Sequence, residues 1–242
     1  MKNKDYKKLL NLSFTDITSQ AYFCGKYDLP YAYCKDVNID YIALYPNLNE
    51  YSKTKNTAVG FYVFDLKFDN IRGLFSAIYY NDIKRLDYFK ERFKGVKYAI
   101  APDYSQIGDI PRVENLYRLF KTRIVSLWLT IECDVIVIPN ITYANENYFD
   151  VMLDGMEDCE CVAFGVKGSI KELSQRELLL KAIKYAVDNL KKLKTIIVYS
   201  VCIDNSIIFE IFQYAISKGI KVIIPDNLLR SRNRLKEAFK NG

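Results

Sequence analysis

Short apolar runs rich in β-branched residues alternate with longer segments of helical periodicity from about residue 58 to the end of the chain. The runs have the length of strands, and they are apolar at consecutive positions, as in strands that helices cover on both faces. This alternation predicts repeated βα units around a mainly parallel sheet. The predicted strands are 58–64, 98–101, 134–138, 161–165, 195–199 and 221–224.

The predicted fold class is therefore α/β, and two architectures are open. The six strands, with further candidates at 30–33 and 39–45, fit either a closed barrel or an open doubly wound sheet. We favour the barrel. We also predict that residues 58–242 form the α/β domain and that residues 1–57 form an N-terminal extension packed on it.

The absence of histidine from all 242 residues excludes several classes of active site. Ser-His-Asp and Cys-His nucleophile systems, HExxH zinc sites and Cys2His2 fingers all need an imidazole. Carboxylates, Lys, Tyr, Cys or Ser would have to carry any catalysis. The six cysteines form no CxxC pair, and neither a signal peptide nor an apolar run near the ~18 residues of a membrane span is present. We expect a reduced, cytoplasmic protein that does not enter a membrane.

The formal charge of +6 comes from the two ends of the chain. Lysines cluster in residues 1–8 and basic residues cluster again in residues 228–242, so that the body between them is close to neutral. Basic ends can contact phosphates, from nucleic acid or an acidic membrane surface, or they can be the solvated faces of terminal helices. The candidate basic surface near the carboxyl end consists of Arg230, Arg232, Arg234 and Lys236.

Polar side chains follow the predicted strands at the end where ligands bind in both architectures. Asp65 follows the first strand, Asp103 and Ser105 follow the second, and Asn140 follows the third. Since sequential strands commonly pair, the two aspartates are predicted to lie close together, where they can split their pKa values or hold Mg²⁺. Asp103 is the candidate general base or metal-bound carboxylate and Asp65 its partner, with Ser105 and Asn140 as polar positioning groups. Alternatively, each aspartate caps a helix or organises a turn.

The loop after the fourth predicted strand is the segment most typical of phosphate binding. It contains Gly165, Lys167, Gly168 and Ser169. Paired glycines allow backbone amides to approach an anion, and a lysine beside a helix start adds a positive charge. The alternative is a simple turn between a strand and a helix, because the loop matches neither a Walker motif nor GxGxxG.

Several of these segments occur together in an order and spacing that resemble domain-of-unknown-function family 4417 over roughly residues 58–200. They are FYVFD at 61–65, PDYS at 102–105, DIP at 109–111, the Lys121 and Arg123 segment, VIP at 137–139, DG at 154–155, VAFGVKG at 162–168 and IIVY at 196–199. The resemblance implies an origin in phages, plasmids or integrative elements of Gram-positive bacteria. It implies no activity.

Three hypotheses about function follow. The first is an enzyme encoded by a phage or mobile element that acts on a phosphate-bearing substrate, a nucleotide or nucleic acid, through the carboxylates at the strand ends. The second is a noncatalytic module that binds nucleic acid or a protein through its basic termini. The third is a counter-defence protein that sequesters a signalling nucleotide in the same pocket without turning it over.

Overall fold

Parallel strands dominate the structure, a computed structural model that describes residues 15–241. The strands are β1 (Phe23–Cys24), β2 (Leu29–Pro30), β3 (Tyr41–Leu44), β4 (Thr57–Gly60), β5 (Tyr98–Ile100), β6 (Ile136–Ile138), β7 (Cys161–Gly165), β8 (Thr195–Tyr199) and β9 (Lys221–Ile223). One parallel sheet has the order β3-β4-β5-β6 and a second has the order β7-β8-β9, while β1 and β2 form an antiparallel pair. The predicted α/β class is confirmed.

Helices connect the strands and cover the outer faces of both sheets. They are α1 (Thr15–Thr18), α2 (Leu74–Tyr79), α3 (Ile83–Phe93), α4 (Arg112–Cys133), α5 (Phe149–Met152), α6 (Leu173–Asn189), α7 (Ser206–Ile211), α8 (Gln213–Ser217) and α9 (Leu228–Asn241), with 3-10 turns at Leu48–Glu50, Asp65–Lys67 and Glu146–Tyr148. The longest, α4, begins directly after Pro111, which suits a helix start because it has no amide to satisfy. It ends where Asp134 turns to a left-handed φ of 55°.

Successive residues of each strand face opposite layers of the fold, as the pleat requires. In β4, Ala58 lies in a core shared by the two sheets and Val59 packs with the outer helices. In β8, Ile197 lies in the same inner core and Ile196 packs outward. The two sheets therefore face each other across one apolar core, formed by Ile42, Leu44, Ala58, Tyr98, Ile100, Ile138, Cys161, Ala163, Ile197 and Tyr199.

The favoured barrel is not formed as one continuous sheet. Among the described residues, the backbones of the two sheets pair at two single parallel bridges, Asn140 with Ala163 and Tyr41 with Asp226, which we call the two seams. At the first seam the amide of Ile141 donates to Ala163 and the amide of Ala163 donates to Pro139, each at 2.8 Å. The next hydrogen bond of this parallel ladder would have to be donated by the amide of Pro139. Proline has no amide hydrogen, so the ladder stops there.

The open doubly wound alternative is not found either. Its strand order reverses at a switch point, whereas the order within each observed sheet follows the chain. The division of the chain at residue 57 stays a prediction; β3, from the first part, pairs in parallel with β4 along its whole length. Among the described residues, no helix combines the length and apolar composition needed to cross a bilayer.

Candidate functional site

A cleft of about 470 Å³ opens at the carboxyl ends of the parallel strands, and we call it the strand-end cleft. Both sheets contribute to its walls, together with the first turn of α9. Its lining residues are Leu44, Pro46, Tyr62, Val63, Phe64, Lys67, Asp103, Ser105, Gly165, Lys167, Gly168, Tyr199 and Leu229. Five of the residues singled out in the sequence thus share one cavity: Asp103, Ser105, Gly165, Lys167 and Gly168.

Asp103 lies at the end of a chain of hydrogen bonds inside the protein. The amide nitrogen of Asn140 donates to Asp103 Oδ1 at 2.9 Å, and the hydroxyl of Tyr62 donates to Asn140 Oδ1 at 2.8 Å. Burial raises the pKa of Asp103 to about 6; the neighbouring Asp65 carboxylate also raises it, and the Asn140 hydrogen bond opposes the shift. Asn140 is not in the cleft lining, and its hydrogen bond fixes the position of the Asp103 carboxylate.

Two tyrosines from different sheets stack beside this carboxylate. The rings of Tyr62 and Tyr199 lie 4.3 Å apart between centroids and 3° from parallel. Burial raises the pKa of Tyr199 to about 12, so its hydroxyl stays protonated at neutral pH. Among the described residues this hydroxyl has no hydrogen-bond partner, although the side chain is fully buried. A buried unpaired hydroxyl is costly, because it has lost its contact with water without gaining a hydrogen bond.

Two glycines make room for the ring of Tyr62. A Cβ atom on Gly165 would lie 2.7 Å from Tyr62 Cε1, and a Cβ atom on Gly60 would lie 3.2 Å from Tyr62 Cδ2. The sequence suggested that Gly165 lets backbone amides approach a phosphate. The close approach of Tyr62 is a sufficient reason for a glycine at this position.

Asp65 occupies a more structural position than Asp103. Its carboxylate pairs with Arg118 Nη1 at 2.9 Å and accepts a hydrogen bond from Ser105 Oγ at 2.9 Å. It is not in the cleft lining, whereas Ser105, which donates to it, is. Within the part of the chain that the structure describes, no three His, Cys, Asp or Glu side chains gather where they could hold a metal ion.

Two lysines give the cleft a positive wall. Lys167 follows β7, as the sequence suggested, and Lys67 ends the 3-10 turn Asp65–Lys67. Neither ammonium group forms an ion pair with any other described residue. Gly168 has a φ of +97°, which glycine adopts readily. Ser169 is outside the lining, and its amide donates to the carbonyl of Val166 at 3.2 Å.

Sequence reasoning missed Tyr62, Tyr199 and Lys67. The first two could have been found from the strand period, because Tyr62 lies two positions beyond Gly60 and Tyr199 lies two positions beyond Ile197, on the same inner face. Lys67 carried no such signal, since its place depends on the turn that follows β4.

The candidate basic surface needs one correction, at Arg230. This residue is only 2% exposed, because its guanidinium points into the fold and donates to Asn205 Oδ1 and to the carbonyl of Ile203. Arg234 is exposed and pairs with Asp226 at 2.9 Å. Arg232 and Lys236 are exposed. The lysines of residues 1–8 lie outside the described residues.

We expect Arg230→Ala to destabilise the protein by about 2–3 kcal/mol, because it removes a buried side chain and leaves its partly buried acceptors, Asn205 Oδ1 and the carbonyl of Ile203, without their charged donor. The same change at the neighbouring exposed Arg232 should alter the free energy of unfolding by less than about 0.5 kcal/mol. Urea denaturation of both variants measures the difference. Equal losses would show that Arg230 has no special structural role.

Fold and cleft together define an α/β protein with a ligand-sized cleft at the carboxyl ends of parallel strands. The chain belongs to the family described as "Domain of unknown function (DUF4417)", whose model matches residues 22–215. It is 24% identical over 182 residues to the Gene 1 protein of Mycobacterium phage L5, an alignment that covers 74% of this chain and 72% of that protein. No solved structure matches. The family and its phage association, predicted from the sequence, are confirmed, and the match extends beyond both ends of 58–200.

Proposed function

We propose that the protein is an enzyme that acts on a phosphate-bearing substrate, a nucleotide or nucleic acid, in the strand-end cleft. One observation carries the proposal: a carboxyl group that ionises near neutral pH, Asp103, shares the cleft with two lysines that have no described ion-pair partner, Lys67 and Lys167. The lysines supply positive charge for phosphate, and the carboxylate supplies a base.

Lys67 follows a strand of one sheet and Lys167 follows a strand of the other, so a substrate whose phosphates bind both lysines would contact both sheets. Lysine binds phosphate as a point charge without the fixed geometry of arginine, which suits a site that holds more than one phosphate. Phe64, which is 86% exposed, lines the same cleft. An exposed aromatic ring is a stacking surface for a nucleobase.

Asp103 is the proposed general base. With a pKa of about 6 it is mostly ionised at pH 7, yet it is basic enough to take a proton from a water or hydroxyl nucleophile. Asn140 would fix its orientation through the hydrogen bond to Asp103 Oδ1. In the alternative role, that of a metal-bound carboxylate in place of a base, Asp103 would hold a Mg²⁺ ion together with phosphate oxygens of the substrate, since Mg²⁺ is often bound by one or two carboxylates plus phosphate.

The position of α9 supports nucleic acid as an extended form of the substrate. Leu229 in its first turn lines the cleft, and the exposed Arg232 and Lys236 follow along the same helix. A strand that enters the cleft would find basic side chains beyond it, and such contacts make affinity depend on salt.

Lys167→Ala tests the phosphate site. The probes are ATP, GTP, a cyclic nucleotide and a short single-stranded DNA, each with Mg²⁺, and binding is measured as a rise in melting temperature and by calorimetry. We expect at least one probe to bind, and the variant to weaken it about tenfold or more by loss of a charged hydrogen-bond donor. Lys171→Ala, which removes an exposed lysine outside the lining, should change the affinity little.

The other hypotheses predict different results in the same experiment. Tight nucleotide binding without turnover would support the nucleotide-sequestering alternative, which uses the same cleft. Oligonucleotide binding that is unchanged in Lys167→Ala would contradict the cleft as the site and favour a noncatalytic module that binds through its basic termini. No binding by any probe would contradict the proposal.

A further inference from the structure

A second cavity, of about 250 Å³, lies between α4, β6 and the segment around Tyr31 and Tyr33, and we call it the α4 cavity. Most of its wall is apolar, with side chains such as Leu119, Leu127 and Met156. It shares no lining residue with the strand-end cleft, and Asn140, whose amide bonds Asp103 of that cleft, lies in its wall.

The wall of the α4 cavity contains a charged side chain, that of Arg123. Arg123 is only 4% exposed, and its Nη2 donates to the carbonyl of Asp154 at 2.8 Å. Its Nη1 is buried and has no hydrogen-bond partner among the described residues. A buried guanidinium nitrogen without an acceptor is unfavourable, so this group needs a partner that the described side chains do not provide.

The acidic groups nearest to Arg123 do not meet that need. The carboxylate of Asp154 accepts the backbone amides of Lys26 at 2.7 Å and Tyr27 at 3.1 Å, and only its carbonyl bonds Arg123. Glu157 accepts the amide of Gly155 at 3.1 Å. Burial lowers the pKa of Arg123, and nearby acidic groups oppose that shift only in part. A bound anion would favour the charged form.

We propose that the α4 cavity binds a small monocarboxylate with an apolar body, whose carboxylate accepts from Arg123 Nη1. Among the described residues that line the cavity, Arg123 is the only cationic side chain, so one negative charge is matched and a dianionic phosphate is not. The cavity is smaller than the ~300–1,000 Å³ of pockets for drug-sized ligands, which limits the body to a single ring or a short chain. The rings of Tyr31 and Tyr33, which stack 6.3 Å apart, form part of the wall for it.

Sodium benzoate is the probe, with benzyl alcohol as its neutral counterpart and phenyl phosphate as the dianion. Binding to the full chain is measured by ligand-observed NMR and calorimetry. We expect benzoate to bind about tenfold or more tightly than benzyl alcohol, because a charged hydrogen bond is added, and more tightly than phenyl phosphate. Arg123→Met should remove the preference for benzoate.

A second variant leaves Arg123 in place. Thr130 is exposed and lines the cavity, so Thr130→Phe should fill the space and weaken both benzoate and benzyl alcohol, whereas Thr130→Val, which keeps the size, should not. Lys167→Ala should leave benzoate binding unchanged, since it alters the other cavity. The proposal is overturned if benzoate does not bind, if benzyl alcohol or phenyl phosphate binds as tightly, or if Thr130→Phe has no effect. Loss of benzoate binding in Lys167→Ala would also overturn it, by moving the site to the strand-end cleft.

Discussion

Asp103→Asn is expected to abolish turnover in the strand-end cleft while stabilising the protein above pH 6. An amide cannot accept the proton of a nucleophile, so the general base is lost. The amide is nearly the same size, and its oxygen can still accept the hydrogen bond from Asn140. The variant therefore removes the reactive group and keeps the packing around it.

The gain in stability depends on pH with a defined sign. The pKa of Asp103 is raised from 3.8 to about 6 in the folded protein, so between these values the folded state binds a proton that the unfolded state has lost. The contribution of Asp103 to the free energy of unfolding of the wild type is complete below about pH 4, and it is lost as the pH rises through 6. The neutral amide avoids that loss, which is about 1–3 kcal/mol for a shift of this size at a partly solvated group.

Thermal denaturation from pH 4 to pH 8 measures this effect. The difference in melting temperature between Asp103→Asn and the wild type should be near zero at pH 4 and largest at pH 8. Asp109→Asn is the matched control, because Asp109 is exposed and outside the cleft, and it should change neither stability nor turnover. If Asp103→Asn is less stable than the wild type at every pH, Asp103 has a structural role instead.

Gly165→Ala is expected to lower the free energy of unfolding more than any other substitution that adds one methyl group in the cleft. Its Cβ would lie 2.7 Å from Tyr62 Cε1, and the ring has little room to move because Tyr199 stacks on it at 4.3 Å. Gly60 approaches the same ring. Forcing an extra carbon into such packing costs about 1–3 kcal/mol. Displacing Tyr62 also breaks its hydrogen bond to Asn140, which holds Asp103, so nucleotide binding or turnover should fall as well.

Gly168→Ala is the comparison variant. A Cβ atom there has nothing within 4 Å, and the cost comes only from the positive φ of +97°. It should lower stability by about 1–2 kcal/mol without moving Tyr62. The pKa of Asp103, read from NMR titration, distinguishes the two variants, because only Gly165→Ala should shift it. The same pKa in both variants would contradict a role for Gly165 in positioning Asp103.

The sequence period was enough to predict the parallel strands and the edge where polar groups gather. Asp103, Ser105 and Lys167 share a cleft because strands of parallel direction end at the same side of the sheets. Which groups meet across the sheets could not be predicted, since a local pattern does not relate Tyr62 to Tyr199 or to Gly165. Arg230 was misplaced for the same reason: charge favours the surface, and only the tertiary fold supplies the carbonyl and amide oxygens that allow its burial.

At the two seams the sheets are joined by few backbone hydrogen bonds, although the two sheets share the inner apolar core. Each sheet is held by continuous hydrogen-bond ladders, such as the five paired residues of β7 and β8, whereas each seam has one bridge. Asp103 follows a strand of one sheet, and Lys167 follows a strand of the other. Under the proposed function, a substrate that contacts both Asp103 and Lys167 would therefore bridge the two sheets and add a connection between them beyond the two seams.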